Sequence, residues 1–179
     1  MKRFCTTSDI NFLHRGLALY ESLKKHNNDF ELFYLCSDDE SYNKLTGLSL
    51  DGVVPIHLDE LLAKDESLKK ARDNEPSYEA INVGDKTNCD PKKVQFFWCL
   101  SSYFTWYVLD LEDSDSVLYV DPDLYFYHDW QLIYDEVGSK SIGLVRHRIP
   151  YAPAVVRYFL ERLLARCKKQ ILRYSWNVW

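Results

Sequence analysis

The segment Phe30–Cys36 constrains the fold more than any other part of the chain. Six of its seven residues are apolar, and only Glu31 carries a charge. A short apolar run of this kind is typical of a strand covered on both faces, as in parallel sheets with helices above and below. We therefore expect helices to flank this strand on both sides.

Short apolar segments alternate with amphipathic ones along most of the chain. This order predicts an α/β fold: a three-layer α/β/α sandwich with a mainly parallel central sheet, right-handed crossovers and a site at the carboxyl ends of the strands. Pro55 lacks a backbone N–H and places the third strand at a sheet edge. The predicted strands are 3–6, 30–36, 53–58, 116–120, 124–127 and 141–145; the predicted helices are 12–26, 38–48, 59–72, 92–110, 129–137 and 152–173.

Composition excludes several classes of protein. The 179 residues are 46% hydrophobic and carry a net charge of −5, so the chain is globular and lacks the basic surface that general nucleic-acid binding needs. It contains no apolar run of membrane-spanning length, and its first residues do not resemble a secretory signal. Five cysteines without a C-x-x-C pair are typical of reduced thiols, which predicts a cytoplasmic location.

Charge is unevenly distributed along the sequence. Residues 150–179 contain six basic side chains and one acidic one, whereas residues 1–149 carry 16 basic and 26 acidic side chains. We therefore divide the chain into an α/β domain at 1–149 and a basic, helical tail at 150–179.

The first candidate site is Asp121-Pro122-Asp123, which follows the apolar segment 117–120. Two carboxylates this close together repel each other, and a divalent cation relieves that repulsion. Mg²⁺ or Mn²⁺ prefers oxygen ligands and keeps open positions for substrate phosphates. The alternative interpretation is a type I β-turn, which favours Asp followed by Pro.

The second candidate site comprises residues at the ends of the first two strands. Small hydroxyl residues that lead into a helix suit a nucleotide, but helix N-caps use the same residue types. The chain has neither the glycine-rich dinucleotide motif nor a P-loop. An acid after the second strand accepts a hydrogen bond from a base or ribose, or caps the next helix. The residues are Thr6, Thr7, Ser8, Asp9 and Asp38.

Basic side chains supply further candidates with open alternatives. Lys93 belongs to the predicted helix 92–110. Its side chain either contacts a phosphate or is an ordinary solvated lysine. Arg146, His147 and Arg148 face an anionic leaving group or form a basic loop. The histidine spacing does not support a zinc site, and no G-x-S-x-G indicates a serine hydrolase.

In combination, these segments resemble the nucleotide-sugar glycosyltransferases of the GT-A fold, most of all the glycogenin-like and bacterial lipopolysaccharide galactosyltransferase branch. The resemblance covers about residues 2–149, and the segment around Asp121 and Asp123 is its most specific part. It implies that these two carboxylates hold Mn²⁺ or Mg²⁺ on the diphosphate of the donor. It also implies that the loop 6–9 lies against the nucleoside and that Lys93 contacts the donor.

Two departures from that family matter. Pro122 has no backbone N–H to offer the ribose, although the middle residue of the family motif often does so. The family's histidine-bearing H-x-x-G-x-x-K-P-W-like segment, which holds its third metal ligand, has no counterpart here. We therefore expect the acceptor-binding half to be absent from this chain, through a shortened gene, a change of reading frame near Pro150 or a genuine short variant, and we expect a shortened chain to expose apolar surface.

The resulting functional hypothesis is a metal-dependent glycosyltransferase domain. It binds a nucleotide sugar, with a UDP-sugar as the expected donor, and its acceptor is a glycan, a lipid-linked sugar or a protein. The alternative is a non-catalytic or truncated nucleotide-sugar-binding domain. A D-x-D-x-T phosphotransferase is disfavoured, because here the motif follows a late strand and Tyr125 takes the place of the threonine.

Overall fold

The computed structural model describes residues 1–73, 91–111, 115–141, 143–145 and 172–174. These residues divide into two units, one up to Asp129 and one from Trp130 onward. The boundary at residue 149 drawn from the charge distribution stays a prediction. The elements are β1 (Lys2–Ser8), α1 (Ile10–His26), β2 (Phe30–Cys36), α2 (Asp39–Leu48), β3 (Val53–His57), α3 (Leu58–Lys64), α4 (Glu66–Asp73), α5 (Pro91–Leu111), β4 (Val117–Tyr119), α6 (Gln131–Val137), β5 (Gly143–Val145) and β6 (Leu172–Tyr174).

The first unit is built on a four-stranded sheet in the order β3-β2-β1-β4. All three neighbouring pairs are parallel, and the β1–β4 register places Cys5 opposite Tyr119. The predicted α/β fold with a parallel sheet is therefore confirmed. Pro55 lies in β3, at an edge of the described sheet, as its missing N–H predicts.

Strand β2 is covered on both faces. Tyr34 packs against α1 at Gly16, and the Phe30 ring lies 6.2 Å from the ring of Tyr20. The alternate side chains Phe33 and Leu35 point to the opposite face. They join a core with α3, α4 and α5 that also contains Cys5, Ile56, Leu58, Leu61, Leu62, Leu68, Phe96, Leu100, Phe104, Tyr107 and Val108.

Two element boundaries differ from the sequence prediction. Strand β1 continues past Thr6 through Ser8, because the parallel pairing with β2 continues to Cys36. The charged helix predicted at 59–72 is two helices, α3 and α4, separated at Asp65. The carboxylate of Asp65 accepts hydrogen bonds from the backbone N–H groups of Ser67 and Leu68, at 2.8 and 3.2 Å, and so starts a new helix.

The strand predicted at 124–127 is wrong, since these residues adopt no regular structure. Helix α1, not a neighbouring strand, supplies the partners of the Phe126 backbone. The Phe126 N–H donates to Ser22 Oγ at 3.1 Å, and His26 Nε2 lies 3.0 Å from the Phe126 carbonyl oxygen. The Phe126 ring packs edge-on against Phe4. Phe126 thus packs against α1 and β1, whereas the apolar residues Leu124, Tyr125 and Tyr127 are exposed.

The second unit contains α6 and a parallel pair of strands. Gly143 of β5 lies opposite Leu172 of β6. The helix predicted to reach Arg173 is therefore wrong at its end, because residues 172–174 pair with β5. The rest of that helix, the loop at 74–90 and the basic residues 146–148 lie outside the described residues.

The buried thiols behave as the sequence predicts. Burial raises the pKa of both Cys5 and Cys36 to about 12, so these thiols stay protonated and act as small apolar side chains. Cys99 is exposed. Among the described helices, none combines the length and the apolar character that crossing a membrane requires. The cytoplasmic location stays a prediction.

The close contact between α1 and β2 gives the first testable prediction. A Cβ added at Gly16 would lie 1.8 Å from the hydroxyl oxygen and 2.6 Å from Cζ of buried Tyr34. We expect Gly16→Ala to lower the free energy of unfolding by about 1–3 kcal/mol, because overpacking outweighs the gain in helix propensity. Urea denaturation followed by circular dichroism measures the change.

Gly47→Ala is the matched control, since Gly47 is also helical and a Cβ there meets nothing within 4 Å. This variant should be unchanged or more stable by up to about 1 kcal/mol. Equal effects of the two substitutions would show that backbone propensity alone, and not the contact with Tyr34, decides the result.

Candidate functional site

The order of the described strands changes direction between β1 and β4, where doubly wound sheets leave a crevice for a ligand. Strands β1, β2 and β3 follow each other in one direction across the sheet, whereas β4 pairs with the other side of β1. Helix α1 covers one face of the sheet and α5 the other. In doubly wound folds, ligands bind beyond the carboxyl ends of the strands at such a switch in strand order. A ligand site is therefore expected at the carboxyl ends of β1 and β4.

Asp121 and Asp123 lie at this carboxyl edge, directly after β4. The Val120 N–H donates to the Cys5 carbonyl oxygen at 2.9 Å and continues the pairing with β1. The Leu124 N–H then donates to the Asp121 carbonyl oxygen at 3.1 Å, which closes a β-turn with Pro122 at its second position. Both carboxylates are exposed. A β-turn is therefore present, as one of the two interpretations predicts, and both carboxylates belong to residues that directly follow β4.

Tyr119 is a mostly buried neighbour of Asp121. Burial, followed by the negative charge of Asp121, raises the pKa of the Tyr119 hydroxyl well above its usual value. The hydroxyl therefore stays protonated, with Asp121 and Ser101 of α5 close to it.

Asp123 has a different partner, Arg15 of α1. Arg15 Nη1 lies 3.8 Å from Asp123 Oδ2, and both side chains are about half exposed. Sequence reasoning did not identify Arg15. Arg15, Ser22 and His26 share one stripe of α1, but the stripe's partners lie far along the chain, so nothing local in the sequence marks it.

The threonines of β1 carry buried hydroxyls without partners. Among the described residues, the Oγ1 atoms of Thr6 and Thr7 are buried and make no hydrogen bond. Side chains alternate along the strand, so Thr7 shares a face with Cys5 and Thr6 lies on the other face. Cys5 and Tyr119 are the last paired residues of β1 and β4, so Thr7 and Asp121 both follow the paired segment at the carboxyl edge of the sheet. Unsatisfied buried hydroxyls are rare and point to a missing partner.

Ser8 and Asp9 are both engaged in the structure. Ser8 Oγ lies 2.7 Å from the Tyr34 hydroxyl. Asp9 is the N-cap of α1, because its Oδ1 accepts a hydrogen bond from the Phe12 N–H at 3.0 Å. The capping interpretation is confirmed for Asp9, whereas contact of Ser8 and Asp9 with a nucleotide stays a prediction.

Asp38 joins the N-termini of two helices. Its Oδ1 accepts the Ser41 N–H of α2 at 2.7 Å, and its Oδ2 accepts the Ile10 N–H of α1 at 2.8 Å. Both carboxylate oxygens thus have backbone donors, and Asp38 caps α2 as one of its two interpretations predicts. Contact with a nucleotide stays a prediction.

The metal-ligand set of the described residues is small. Within them, no group of three or more His, Cys, Asp and Glu side chains is arranged to hold a metal ion. A cation at the crevice would therefore take two carboxylates, Asp121 and Asp123, and complete its shell with phosphate oxygens and water, as Mg²⁺ commonly does. The oxygen donors fit that ion. Lys93 lies in the first turn of α5, and its side chain is outside the described part.

A second concave surface lies at the other end of α5. It encloses about 550 Å³ and includes none of the residues selected from the sequence. Within it, Lys64 Nζ donates to the Tyr107 hydroxyl at 3.2 Å. The described residues that line it are Lys64, Asp65, Tyr103, Trp106, Tyr107, Asp110 and Leu111.

Comparison with known proteins gives relatives without an assigned function. No family model matches the chain. The uncharacterized protein YfnD of Bacillus subtilis is 26% identical over 157 residues, which cover 87% of this chain and 44% of that protein. YfnF of the same strain, also uncharacterized, is 28% identical over 179 residues, covering 96% and 52%. The chain thus spans about half the length of the curated relatives it matches.

Among solved structures, the glycosyltransferase GlyE of Streptococcus pneumoniae is similar over most of the chain. Its apo form matches with a TM-score of 0.47 at 16% identity, covering 93% of this chain and 39% of GlyE. A second GlyE structure matches with a TM-score of 0.49 at 14% identity, covering 98% and 46%. Because these values are low, the candidate function rests on the residues of this chain.

The double cap made by Asp38 gives a prediction about stability. Asp38→Ala removes the acceptor of two backbone N–H groups, so we expect a loss of about 2 kcal/mol in the free energy of unfolding. Asp39→Ala is the control: Asp39 is the next residue and its side chain is 90% exposed. It should cost less than about 1 kcal/mol. Urea denaturation of both variants tests this, and a small effect at Asp38 would contradict the double cap.

Proposed function

We propose that the chain carries the donor site of a glycosyltransferase that uses Mn²⁺ or Mg²⁺ and a nucleotide sugar. The observation that supports this most is the unsatisfied buried hydroxyl of Thr7, which follows the paired residues of β1 at the same carboxyl edge as Asp121, where the strand order switches. Hydroxyl groups suit a nucleotide or phosphate, and paired carboxylates suit a divalent cation. The crevice combines both.

In this proposal, different residues of the chain bind the cation and the nucleotide. Asp121 and Asp123 hold the cation, which neutralises the charge of the diphosphate leaving group when bound. The protonated hydroxyl of Tyr119 lies close to Asp121. Thr7 is the first candidate for contact with the nucleotide, Thr6, Ser8, Asp9 and Asp38 are further candidates at the same edge of the sheet, and Lys93 is a candidate for contact with phosphate. We expect a UDP-sugar as donor, and a glycan, a lipid-linked sugar or a protein as acceptor.

The second candidate function is a non-catalytic nucleotide-sugar-binding domain. It uses the same donor site and differs from the first candidate only in transferring no sugar. The two candidates differ in turnover: release of UDP from a bound UDP-sugar, with or without added acceptor, supports the enzyme. Binding without any release of UDP supports the non-catalytic domain.

Binding of UDP tests the donor site directly. We expect UDP to bind in the presence of Mn²⁺ and not in its absence, because Asp121 and Asp123 would hold the cation, whose charge would offset that of the diphosphate. Asp121→Ala/Asp123→Ala should weaken this binding at least about tenfold, since both charged ligands are lost. Calorimetric titration with and without Mn²⁺ measures it.

The control is Asp29→Ala/Asp51→Ala, which removes the same charge from two exposed residues. These precede β2 and β3 and therefore lie at the opposite edge of the sheet. It should bind UDP as the parent protein does. Failure of the folded parent protein to bind UDP, or equal loss in both double variants, would contradict the proposed site.

Thr7→Val separates stability from binding. Replacing an unsatisfied buried hydroxyl with a methyl group should raise the free energy of unfolding by about 1 kcal/mol. The same change should weaken binding of UDP with Mn²⁺, because the bound nucleotide loses its partner. Thr46→Val, at an exposed site on α2, is the control for both measurements. Stabilisation with unchanged UDP affinity would remove Thr7 from the site.

A further inference from the structure

We propose that Arg15 is a diphosphate-binding residue that Asp123 holds in place while the site is empty of cation. This inference rests on the proposed function and names a residue that the sequence did not identify. Arg15 Nη1 lies 3.8 Å from Asp123 Oδ2, and the guanidinium carbon lies 4.7 Å above the centre of the Phe12 ring. The guanidinium therefore lies at the proposed cation site, beside Asp123, which is one of its two carboxylates.

The position of Arg15 is fixed by contacts along the same helix. Ser22 and His26 bind the backbone N–H and carbonyl of Phe126, three residues after Asp123. At the other end, Asp9 caps α1 at the carboxyl edge of the sheet. The segment that follows the turn is therefore attached to the helix. An arginine in the second turn of α1 stays within reach of whatever binds at the turn.

The charges explain why Arg15 acts differently on the cation and on the diphosphate. Asp121 and Asp123 carry two negative charges, and Arg15 supplies one positive charge against the second of them. A cation that binds alone must compete with Arg15 for Asp123 and is repelled by it. A diphosphate is anionic, and the planar guanidinium matches the spacing of phosphate oxygens. Once the diphosphate is present, Arg15 exchanges Asp123 for phosphate oxygens.

A purely structural role predicts a different result. Both side chains of the pair are about half exposed, at 49% and 51%, and exposed pairs contribute little to stability. We therefore expect Arg15→Gln to fold normally, with an unchanged circular dichroism spectrum. A residue that serves only the fold has no reason to change the affinities for cation and for diphosphate in opposite directions.

The experiment measures two affinities in the same set of variants. Titration of Mn²⁺ alone, followed by the electron paramagnetic resonance signal of free Mn²⁺, should give an affinity about twofold or more tighter in Arg15→Gln, because a competing positive charge is gone. Calorimetric titration of UDP at saturating Mn²⁺ should give binding about tenfold weaker. Arg15→Lys should restore part of the UDP affinity, since it restores the charge but not the fork of donors.

The matched control is Lys25→Gln, which removes one positive charge from an exposed residue near the other end of the same helix. It should leave both affinities unchanged, so a general effect of net charge is excluded. If the parent protein binds UDP with Mn²⁺ and Arg15→Gln binds it equally well, the role of Arg15 is wrong while the donor site stands. If the parent protein binds no UDP, the proposed function fails, and this inference fails with it.

Discussion

The parallel pairing of β1 with β4 is the interaction on which the candidate site depends. It is short, with Arg3, Phe4 and Cys5 opposite Val117, Leu118 and Tyr119. Because side chains alternate along a strand, a slip of one residue would turn Thr7 to the face of α1 and away from Asp121. Burial on both faces prevents such a slip, since it would also exchange Phe4 and Cys5 between two different packing environments.

Helix α1 is the second element that the site requires. Its N-terminus is tied to α2 through Asp38, and its stripe of Ser22 and His26 takes the polar backbone groups of Phe126. Backbone groups near a core need partners, and side chains of a helix serve as well as a neighbouring strand. The segment after the turn therefore follows α1 instead of adding to the sheet. This arrangement also brings Arg15 to Asp123.

The sequence predicts the features that depend on local pattern. Phe30–Cys36 reads correctly as a strand buried on both faces, and Asp9 and Asp38 read correctly as potential caps, because these signals lie within a few residues. Features that depend on distant partners were missed. The apolar residues 124–127 carry the pattern of a strand, but the choice between a strand and α1 as partner is made by tertiary packing. The sequence does not identify Arg15 as a site residue either, because its partner Asp123 lies far along the chain.

The turn and the proposed cation site are compatible, although the sequence presents them as alternatives. Proline restricts the backbone at the second position of the turn, so it limits the arrangements that the two flanking residues can adopt. The neighbours of the two carboxylates differ in kind. The Tyr119 hydroxyl near Asp121 is neutral, whereas Arg15 beside Asp123 carries a positive charge that a cation would have to displace. In the proposed site, Asp123 is therefore the carboxylate whose partner changes on binding.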